Sequence, residues 1–248
     1  MPNCQVYDPE FFQGHLEDSW NSARVVVPIV CGLVRPSSVI DVGCGSGTWL
    51  AVFRELGVSR VLGLDGDYVP RSSLAVPPDC FQVVDLNEQI PVNEKFDLAL
   101  CLAVAEHLPR RSAPCLVGSL VKLAPVVLFS AAVPLQGGTN HVNEQWPEYW
   151  ASLFWEFRYT RRDVIRRQIW NDSRVAWWYR QNVFLFVHYD HLDSYPGLAE
   201  TGSGPDDLIM VRAEILKDHL CLRRTLRRLP GRLLSAAARR FRGRNGTA

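Results

Sequence analysis

Long apolar runs are missing from this sequence of 248 residues. The longest ones, such as residues 125–135, are much shorter than the roughly 18–20 apolar residues that a membrane-spanning helix needs. The N-terminus also lacks a basic segment followed by an apolar one, which is the pattern of a secretory signal. We therefore expect no membrane-spanning or export segment.

Paired cysteines are missing as well. The seven cysteines are scattered along the chain, their number is odd, and no two of them are spaced as Cys-x-x-Cys. This distribution argues against a disulfide framework and against a cysteine zinc site. Free thiols fit a reducing compartment, so we expect a cytoplasmic protein.

The chain has almost no net charge, because two charged parts cancel. The total is +1, but from Lys217 onward ten basic residues face one acid, Asp218, whereas residues 1–216 carry 17 basic and 25 acidic residues. Since surfaces that bind nucleic acids are basic, the acidic part argues against nucleic acid as a partner.

The sequence does contain enough apolar residues for one large core. Hydrophobic residues make up 47% of the chain. Its length of 248 residues favours one domain with appendages over two domains. Asp8-Pro9 has the pattern of a helix N-cap followed by proline, and Asp18 or Ser19 could cap a second helix. We expect residues 1–37 to form a helical cover.

A parallel sheet is expected in a core domain of residues 38–190. Short Val/Ile/Leu-rich runs alternate there with helical or loop segments, which is typical of a sheet covered on both faces. Helices are predicted at 110–124, 146–157 and 173–181. Seven strands are predicted, near residues 38–42, 60–64, 80–84, 96–101, 126–132, 161–170 and 182–189.

The composition changes after the core domain. Residues 191–207 are rich in Gly, Pro, Ser and Asp, which predicts a linker, and residues 208–248 are predicted to form a basic helical extension. The extension could serve as a homodimer helix, as an amphipathic helix at a membrane surface, or as a cationic tail on the acidic body. An apolar seven-residue repeat runs through it, at Leu208, Ile215, Leu222 and Leu229.

The stretch "SVIDVGCGSGTWL" places three alternate glycines directly after the first predicted strand. Glycine permits positive φ and leaves no Cβ between the main chain and a ligand, which suits a nucleotide-like cofactor at the start of a helix. A dinucleotide fingerprint would place Gly or Ala at position 48, where this chain has Thr48. NAD is therefore disfavoured.

Acidic residues end the next two predicted strands. Asp65 ends "RVLGLD", about 20 residues after the glycine turn, where a carboxylate can accept hydrogen bonds from ribose hydroxyls. Asp85 ends "FQVVD", where it could meet an adenine amino group. Together with Asp41, three acids at three successive strand ends indicate a nucleoside site.

The motifs "VIDVGCGSGTWL", "VLGLDGD", "VVDL" and "FDLALCLAVAEHL" together resemble class I S-adenosylmethionine-dependent methyltransferases. The ending Glu106-His107-Leu108 is similar to the branch that includes ubiquinone-biosynthesis and natural-product enzymes. The resemblance covers residues 38–133 in its motifs and 1–190 in its order of elements. It implies a Rossmann-like α/β fold with a seven-stranded sheet whose last strand is antiparallel, and S-adenosylmethionine as the cofactor.

The resemblance also implies roles for single residues. In that family the glycine turn approaches the methionine part of the cofactor, and the residue placed like Asp65 binds the ribose. Asp85 and Leu86 would flank the adenine, the Leu102 backbone would lie beside the cofactor, and Arg24 would pair with its carboxylate. The complete expected set is Arg24, Asp41, Gly43, Gly45, Gly47, Asp65, Asp85, Leu86 and Leu102.

The acceptor pocket of this fold is expected after the fourth and fifth strands, where the sequence reads "PLQGGTNHVNEQWPEYW". His141 is the candidate general base, since histidine titrates near neutrality, and Glu144 could orient it. The alternative is a polar loop whose side chains cap the next helix. His107 is a rival base, but in the resembled family it often secures its own loop.

Aromatic residues crowd the region after the predicted catalytic loop. We expect Trp146 and Trp150 to wall the acceptor pocket, although tryptophan also serves as core. Arg180 in "WWYRQN" is a candidate polar contact with the substrate; the alternative is a surface flanking a strand.

Missing motifs narrow the class of acceptor. The motif Asn/Asp-Pro-Pro-aromatic of base-amine methyltransferases is absent after the fourth strand. Cytosine C5 methyltransferases use a Pro-Cys nucleophile, but the one Pro-Cys pair here, at position 114, lies in a predicted helix. Catechol-type enzymes bind magnesium with an Asp at the end of that strand, where this chain has Cys101 and Leu102. We therefore expect metal-independent methylation of a small molecule at oxygen, less so at nitrogen, in secondary metabolism or cofactor biosynthesis. A methyltransferase acting on RNA or protein, and an inactive cofactor-binding scaffold, are the alternatives.

Overall fold

A computed structural model describes residues 9–198 of the chain, with side chains from residue 16 onward. The helices are α1 (Pro9–Val34), α2 (Thr48–Glu55), α3 (Ala113–Leu123), α4 (Pro147–Trp155), α5 (Arg166–Ile169) and α6 (Trp177–Asn182). The strands are β1 (Ser38–Val42), β2 (Arg60–Asp65), β3 (Phe81–Val83), β4 (Leu98–Leu102), β5 (Val126–Ser130), β6 (Tyr159–Arg162) and β7 (Phe184–His188).

The seven strands form one sheet in the order β3-β2-β1-β4-β5-β7-β6. Strands β1 to β5 are parallel, and β7 runs antiparallel to β5. The predicted Rossmann-like sheet with an antiparallel last strand is confirmed. The chain reverses its direction of travel across the sheet between β1 and β4, so the cleft for a ligand lies beyond the carboxyl ends of these two strands.

Helices cover both faces of the sheet, as the continuous apolar runs of its central strands require. All residues of β1, β4 and β5 are buried. The apolar sides of α1 and α2 join one core cluster, and those of α3 and α4 join the other.

One carboxylate fixes the start of the two central strands. Asp97 Oδ2 accepts hydrogen bonds from the backbone N–H groups of Ser37 and Ser38 at 2.8 and 2.9 Å, and from their hydroxyls at 2.6 and 3.0 Å. This contact holds the amino end of β1 next to that of β4. The loops that follow the carboxyl ends of these two parallel strands are therefore also neighbours.

The prediction of two helices before the first strand was wrong. A single helix α1 runs through Asp18 and Ser19 and contains Pro28. A proline inside a helix removes one backbone hydrogen bond. Burial of Val26, Val27 and Val30 beside it packs this helix on the core and offsets that loss.

The sixth strand was misplaced. It spans Tyr159–Arg162 instead of residues 161–170, and the chain then turns into the short helix α5. The reason is the fully buried Arg166, whose Nε donates to Asp163 Oδ1 at 2.9 Å and whose Nη1 donates to the Gln181 carbonyl at 3.0 Å. The ion pair turns the chain away from the sheet edge.

The predicted linker and extension lie mostly outside the described residues. Residues 191–198 form short 3₁₀ turns, and Leu198 is fully buried in the core. Asp8, residues 199–207 and the extension 208–248 are not described, so the domain boundaries stay predictions. Within residues 9–198, no helix is both long and apolar enough to cross a membrane.

Candidate active site

The glycine turn connects β1 to α2 at the carboxyl edge of the sheet. Gly43, Gly45 and Gly47 all have positive φ, at 84°, 54° and 80°. The backbone N–H groups of Gly43 and Cys44 both donate to the Leu64 carbonyl, at 2.7 and 3.1 Å. The turn is therefore fixed on the end of β2 by its own main chain.

The space around each glycine shows which side of the turn faces protein. A Cβ at Gly43 would lie 2.3 Å from a methyl group of Val104, and one at Gly47 would lie 2.9 Å from Val76. A Cβ at Gly45 would meet nothing within 4 Å. The backbone is thus packed on both flanks and open at its centre, which fits the close approach of a cofactor at Gly45.

Asp65 connects the end of β2 to this turn. Its carboxylate is only 4% exposed, and its Oδ2 accepts a hydrogen bond from the Gly45 N–H at 2.7 Å. Its Oδ1 accepts from the Gly66 N–H at 2.7 Å and from the Tyr68 hydroxyl. The carboxylate lies beside the glycine turn as expected, and its contact with a ribose stays a prediction.

Asp41 lies beneath the turn and is 2% exposed. Burial, and secondarily the negative charge of Asp65, raise the pKa of Asp41 to about 7. A cationic ligand near this carboxylate would favour its ionised form, which is consistent with a sulfonium and ammonium cofactor.

The remaining residues expected at the cofactor occupy different environments. Asp85 is exposed, and hydrogen bonds from the Asn87 backbone and side chain lower its pKa. Leu86 and Leu102 are buried at 8% and 7% exposure. Arg24, on the exposed side of α1, lies over the Trp20 ring at 5.2 Å. Their roles stay predictions.

The predicted catalytic pair is formed in the loop after β5. His141 Nδ1 lies 3.0 Å from Glu144 Oε1, and the two side chains are 13% and 20% exposed. The Glu144 carboxylate also accepts hydrogen bonds from the backbone N–H groups of Leu135 and Gly137, at 2.9 and 2.7 Å. Glu144 therefore closes the loop upon itself and orients the imidazole.

Backbone strain accompanies this arrangement. Leu135 and Asn140 have φ values of 72° and 58°, which are uncommon for residues other than glycine. A Cβ at Gly138 would lie 2.4 Å from the His141 ring, so only glycine lets the ring pack there. The loop is folded to hold His141 in one place.

The same loop binds the short 3₁₀ helix Ala105–His107 that follows β4. The backbone N–H groups of Val142 and Asn143 donate to the Glu106 carbonyl at 2.9 and 3.1 Å, and Asn143 Nδ2 donates to the Ala105 carbonyl at 3.3 Å. These contacts place His107 against His141, with ring centroids 5.0 Å apart.

Glu106 was missed by the sequence analysis, and His107 was assigned to its own loop. Glu106 is 2% exposed, and one of its carboxylate oxygens, Oε2, has no hydrogen-bond partner. Burial raises its pKa to about 7, and the backbone N–H groups of Glu106 and Ala132 oppose that shift. Burial and the neighbouring His141 lower the pKa of His107. Glu106 and His107 are adjacent in the motif "AEH", but His141, which they approach in the fold, lies 34 positions after His107.

Donor atoms of Glu106, His107 and His141 all lie within 4.8 Å of one another, a separation that permits a metal ion. The expectation of a metal-free site rested on Cys101 and Leu102, which are buried in β4. It concerned a different position from this cluster, and it stays a prediction.

The two tryptophans expected at the acceptor differ. Trp146 is 41% exposed at the start of α4. Trp150 is 3% exposed and packs on Phe129 with ring centroids 5.1 Å apart, so its ring belongs to the core. Arg180, on α6, contacts the Trp170 carbonyl at 3.5 Å. A role of these three residues in substrate binding stays a prediction.

Sheet order, glycine turn and acidic strand ends together define a class I S-adenosylmethionine-dependent methyltransferase. Residues 24–192, more than half of the chain, match a family model described as a methyltransferase domain. The chain belongs to this family. A comparison with curated protein sequences finds no match.

Solved structures show the same fold. The methyltransferase domain of bacterial CtHen1-C has a TM-score of 0.50 and 17% identity, over 68% of this chain and 98% of that one. Magnesium protoporphyrin IX methyltransferase (ChlM) from Synechocystis, solved with bound SAH, has a TM-score of 0.50 and 16% identity, over 73% of this chain and 88% of that one. At such identities the likeness concerns the fold and not the substrate.

Proposed function

We propose that this enzyme methylates an oxygen of a small-molecule acceptor, in secondary metabolism or cofactor biosynthesis. The observation that carries the proposal is the His141–Glu144 pair, with 3.0 Å between Nδ1 and Oε1, in the loop after β5. This loop contacts the segment after β4, whose Val104 packs on Gly43 of the glycine turn. The proposed base and the expected cofactor site therefore lie at the same edge of the sheet.

When bound, S-adenosylmethionine supplies a methyl group on a positively charged sulfur. The chain itself has to hold the acceptor oxygen in line with that group and accept its proton. Glu144 accepts the Nδ1–H of His141, which leaves Nε2 of the ring to take the acceptor proton. Once the imidazole is charged, the Glu144 carboxylate stabilises it.

Oxygen is favoured over nitrogen because of this base. A hydroxyl group is a poor nucleophile until its proton is removed, whereas a neutral amine attacks with its free electron pair and loses a proton afterwards. A small molecule is favoured over RNA because residues 1–216 carry more acidic than basic residues.

The test is the fate of a labelled methyl group. The purified full-length protein is incubated with methyl-labelled S-adenosylmethionine and, separately, with the small-molecule, RNA and protein fractions of a cell extract. We expect label in the small-molecule fraction, with mass spectrometry placing it on oxygen. Label that enters only RNA or protein would support the alternative acceptor classes and overturn this proposal.

An inactive scaffold is the remaining alternative. It predicts cofactor binding by calorimetry without transfer of label to any fraction. We favour an active enzyme because His141, the proposed base, is oriented by Glu144.

A further inference from the structure

Three side chains that can bind metal ions converge beside the acceptor loop. Glu106 and His107 come from the 3₁₀ helix after β4, and His141 comes from the loop after β5. Their donor atoms lie within 4.8 Å of one another. In the described part of the chain, this is the one cluster of three such residues found at that separation.

The contacts within the protein do not account for the burial of the Glu106 carboxylate. The residue is only 2% exposed, yet its Oε2 has no hydrogen-bond partner in the protein. A buried carboxylate oxygen without a partner is costly, so such oxygens are normally paired or coordinate a metal. Both histidines of the cluster lie within reach of the Glu106 carboxylate, where an ion shared by the three would complete its contacts.

Both histidines also have the outer contacts that metal ligands need. His141 Nδ1 is engaged by the Glu144 carboxylate at 3.0 Å, and His107 hydrogen-bonds the backbone of Asn140. Histidines that bind metals almost always use their second ring nitrogen in this way, for a carboxylate or a backbone carbonyl. One nitrogen of each ring remains for an ion.

We propose that Glu106, His107 and His141 bind a divalent first-row transition-metal ion. Two imidazoles and one carboxylate suit Zn²⁺, Mn²⁺, Fe²⁺ or Co²⁺, and three protein ligands leave a coordination position open. His107 is exposed, so a molecule from solvent can reach that position. The open position binds the hydroxyl oxygen of the acceptor.

This inference rests on the proposed function and changes the role of His141 from base to ligand. The ion lowers the pKa of the bound hydroxyl, so the O–H bond breaks and the proton leaves to water. The oxygen keeps the electron pair and forms the bond to the methyl carbon, while the carbon–sulfur bond breaks and its electrons go to sulfur. A metal ion at this site would also replace the expectation of a metal-independent reaction.

The test is calorimetric titration of untagged, full-length, metal-free protein with ZnCl₂, together with the visible spectrum of its Co²⁺ form. We expect one strong site per chain, weakened at least about tenfold by Glu106→Gln and by His107→Ala. The matched control is His191→Ala, in a second histidine pair whose ring centroids are 5.8 Å apart, beside Asp190. This variant should bind Zn²⁺ as the unmodified protein does.

Equal Zn²⁺ affinity in the Glu106→Gln, His107→Ala and unmodified proteins would overturn the site, as would loss of binding in His191→Ala alone. Each variant is also titrated with SAH, which reports folding and the cofactor site. SAH binding without Zn²⁺ binding would leave the proposed function standing and remove the metal. Zn²⁺ binding without methyl transfer to any hydroxyl acceptor would leave the metal site standing and remove the proposed function.

Discussion

The two halves of the cleft are built by different means. The expected cofactor half consists of backbone groups of one short segment, residues 43–47, and a carboxylate 20 positions later. The expected acceptor half consists of side chains from two loops that are more than 30 positions apart, with a buried carboxylate and strained backbone. A site made of main chain is encoded locally, whereas a site made of side chains needs the fold to bring its parts together.

The largest effect is expected on the acceptor half. His141→Ala should lower turnover by about 10²- to 10⁴-fold, because either the acceptor's base or a ligand of the ion is lost. SAH affinity should stay within about twofold, since the cofactor half has its own contacts. Steady-state kinetics and calorimetry check both values, and His191→Ala, at an exposed surface histidine, is the control. Full turnover in His141→Ala would remove His141 from the chemistry.

Substitution of the two tryptophans sharpens the contrast between pocket and core. Trp150→Ala should lower the free energy of unfolding by about 3–5 kcal/mol, because it leaves a cavity against Phe129. Trp146→Ala, at a residue 41% exposed, should change stability by less than about 1 kcal/mol and raise the acceptor KM. Chemical denaturation measures the first effect. Similar stability losses in both variants would show that the two residues do not divide between core and surface.

The cofactor half should respond to pH through Asp41. The pKa of Asp41 is about 7 in the folded protein and about 3.9 in an unfolded chain. Between pH 4 and pH 7 this carboxyl group is therefore ionised in the unfolded chain but still protonated in the folded protein. The free energy of unfolding therefore falls over that window, by on the order of 4 kcal/mol from this group. Asp41→Asn should abolish that part of the fall.

Denaturation of the cofactor-free protein at pH 5 and pH 8 measures this difference. The unmodified protein should lose more stability between the two values than the Asn variant does. The same pH dependence in both proteins would show that the pKa of Asp41 is not raised in the folded protein.

The sequence predicted the local structure around the glycine turn well because its signals are contiguous. The motif from Ser38 to Leu50 contains the strand, the turn and the start of the helix, and all three are where they were expected. The position of Asp65 at the end of β2, beside the turn, was also expected, and its carboxylate accepts a hydrogen bond from the Gly45 N–H. Its contact with a ribose stays a prediction.

The acceptor half and the sheet edge were harder to predict. The pairing of His141 with Glu144 is local, three positions apart, and was anticipated. The approach of Glu106 to His141 depends on hydrogen bonds from Asn143, which no periodicity reveals. The strand at 161–170 was misplaced because a buried Arg166 looks like a surface residue in a sequence.

A sulfonium nucleoside is expected to bind at the glycine turn beside Asp65. The most direct measurement is calorimetric titration of SAH into the unmodified full-length protein and into Asp65→Ala. We expect one site per chain, weakened about 10- to 100-fold by the substitution, because the hydrogen bonds of the ribose to this carboxylate are lost. Equal affinity in both proteins, or no SAH binding in the unmodified one, would contradict it.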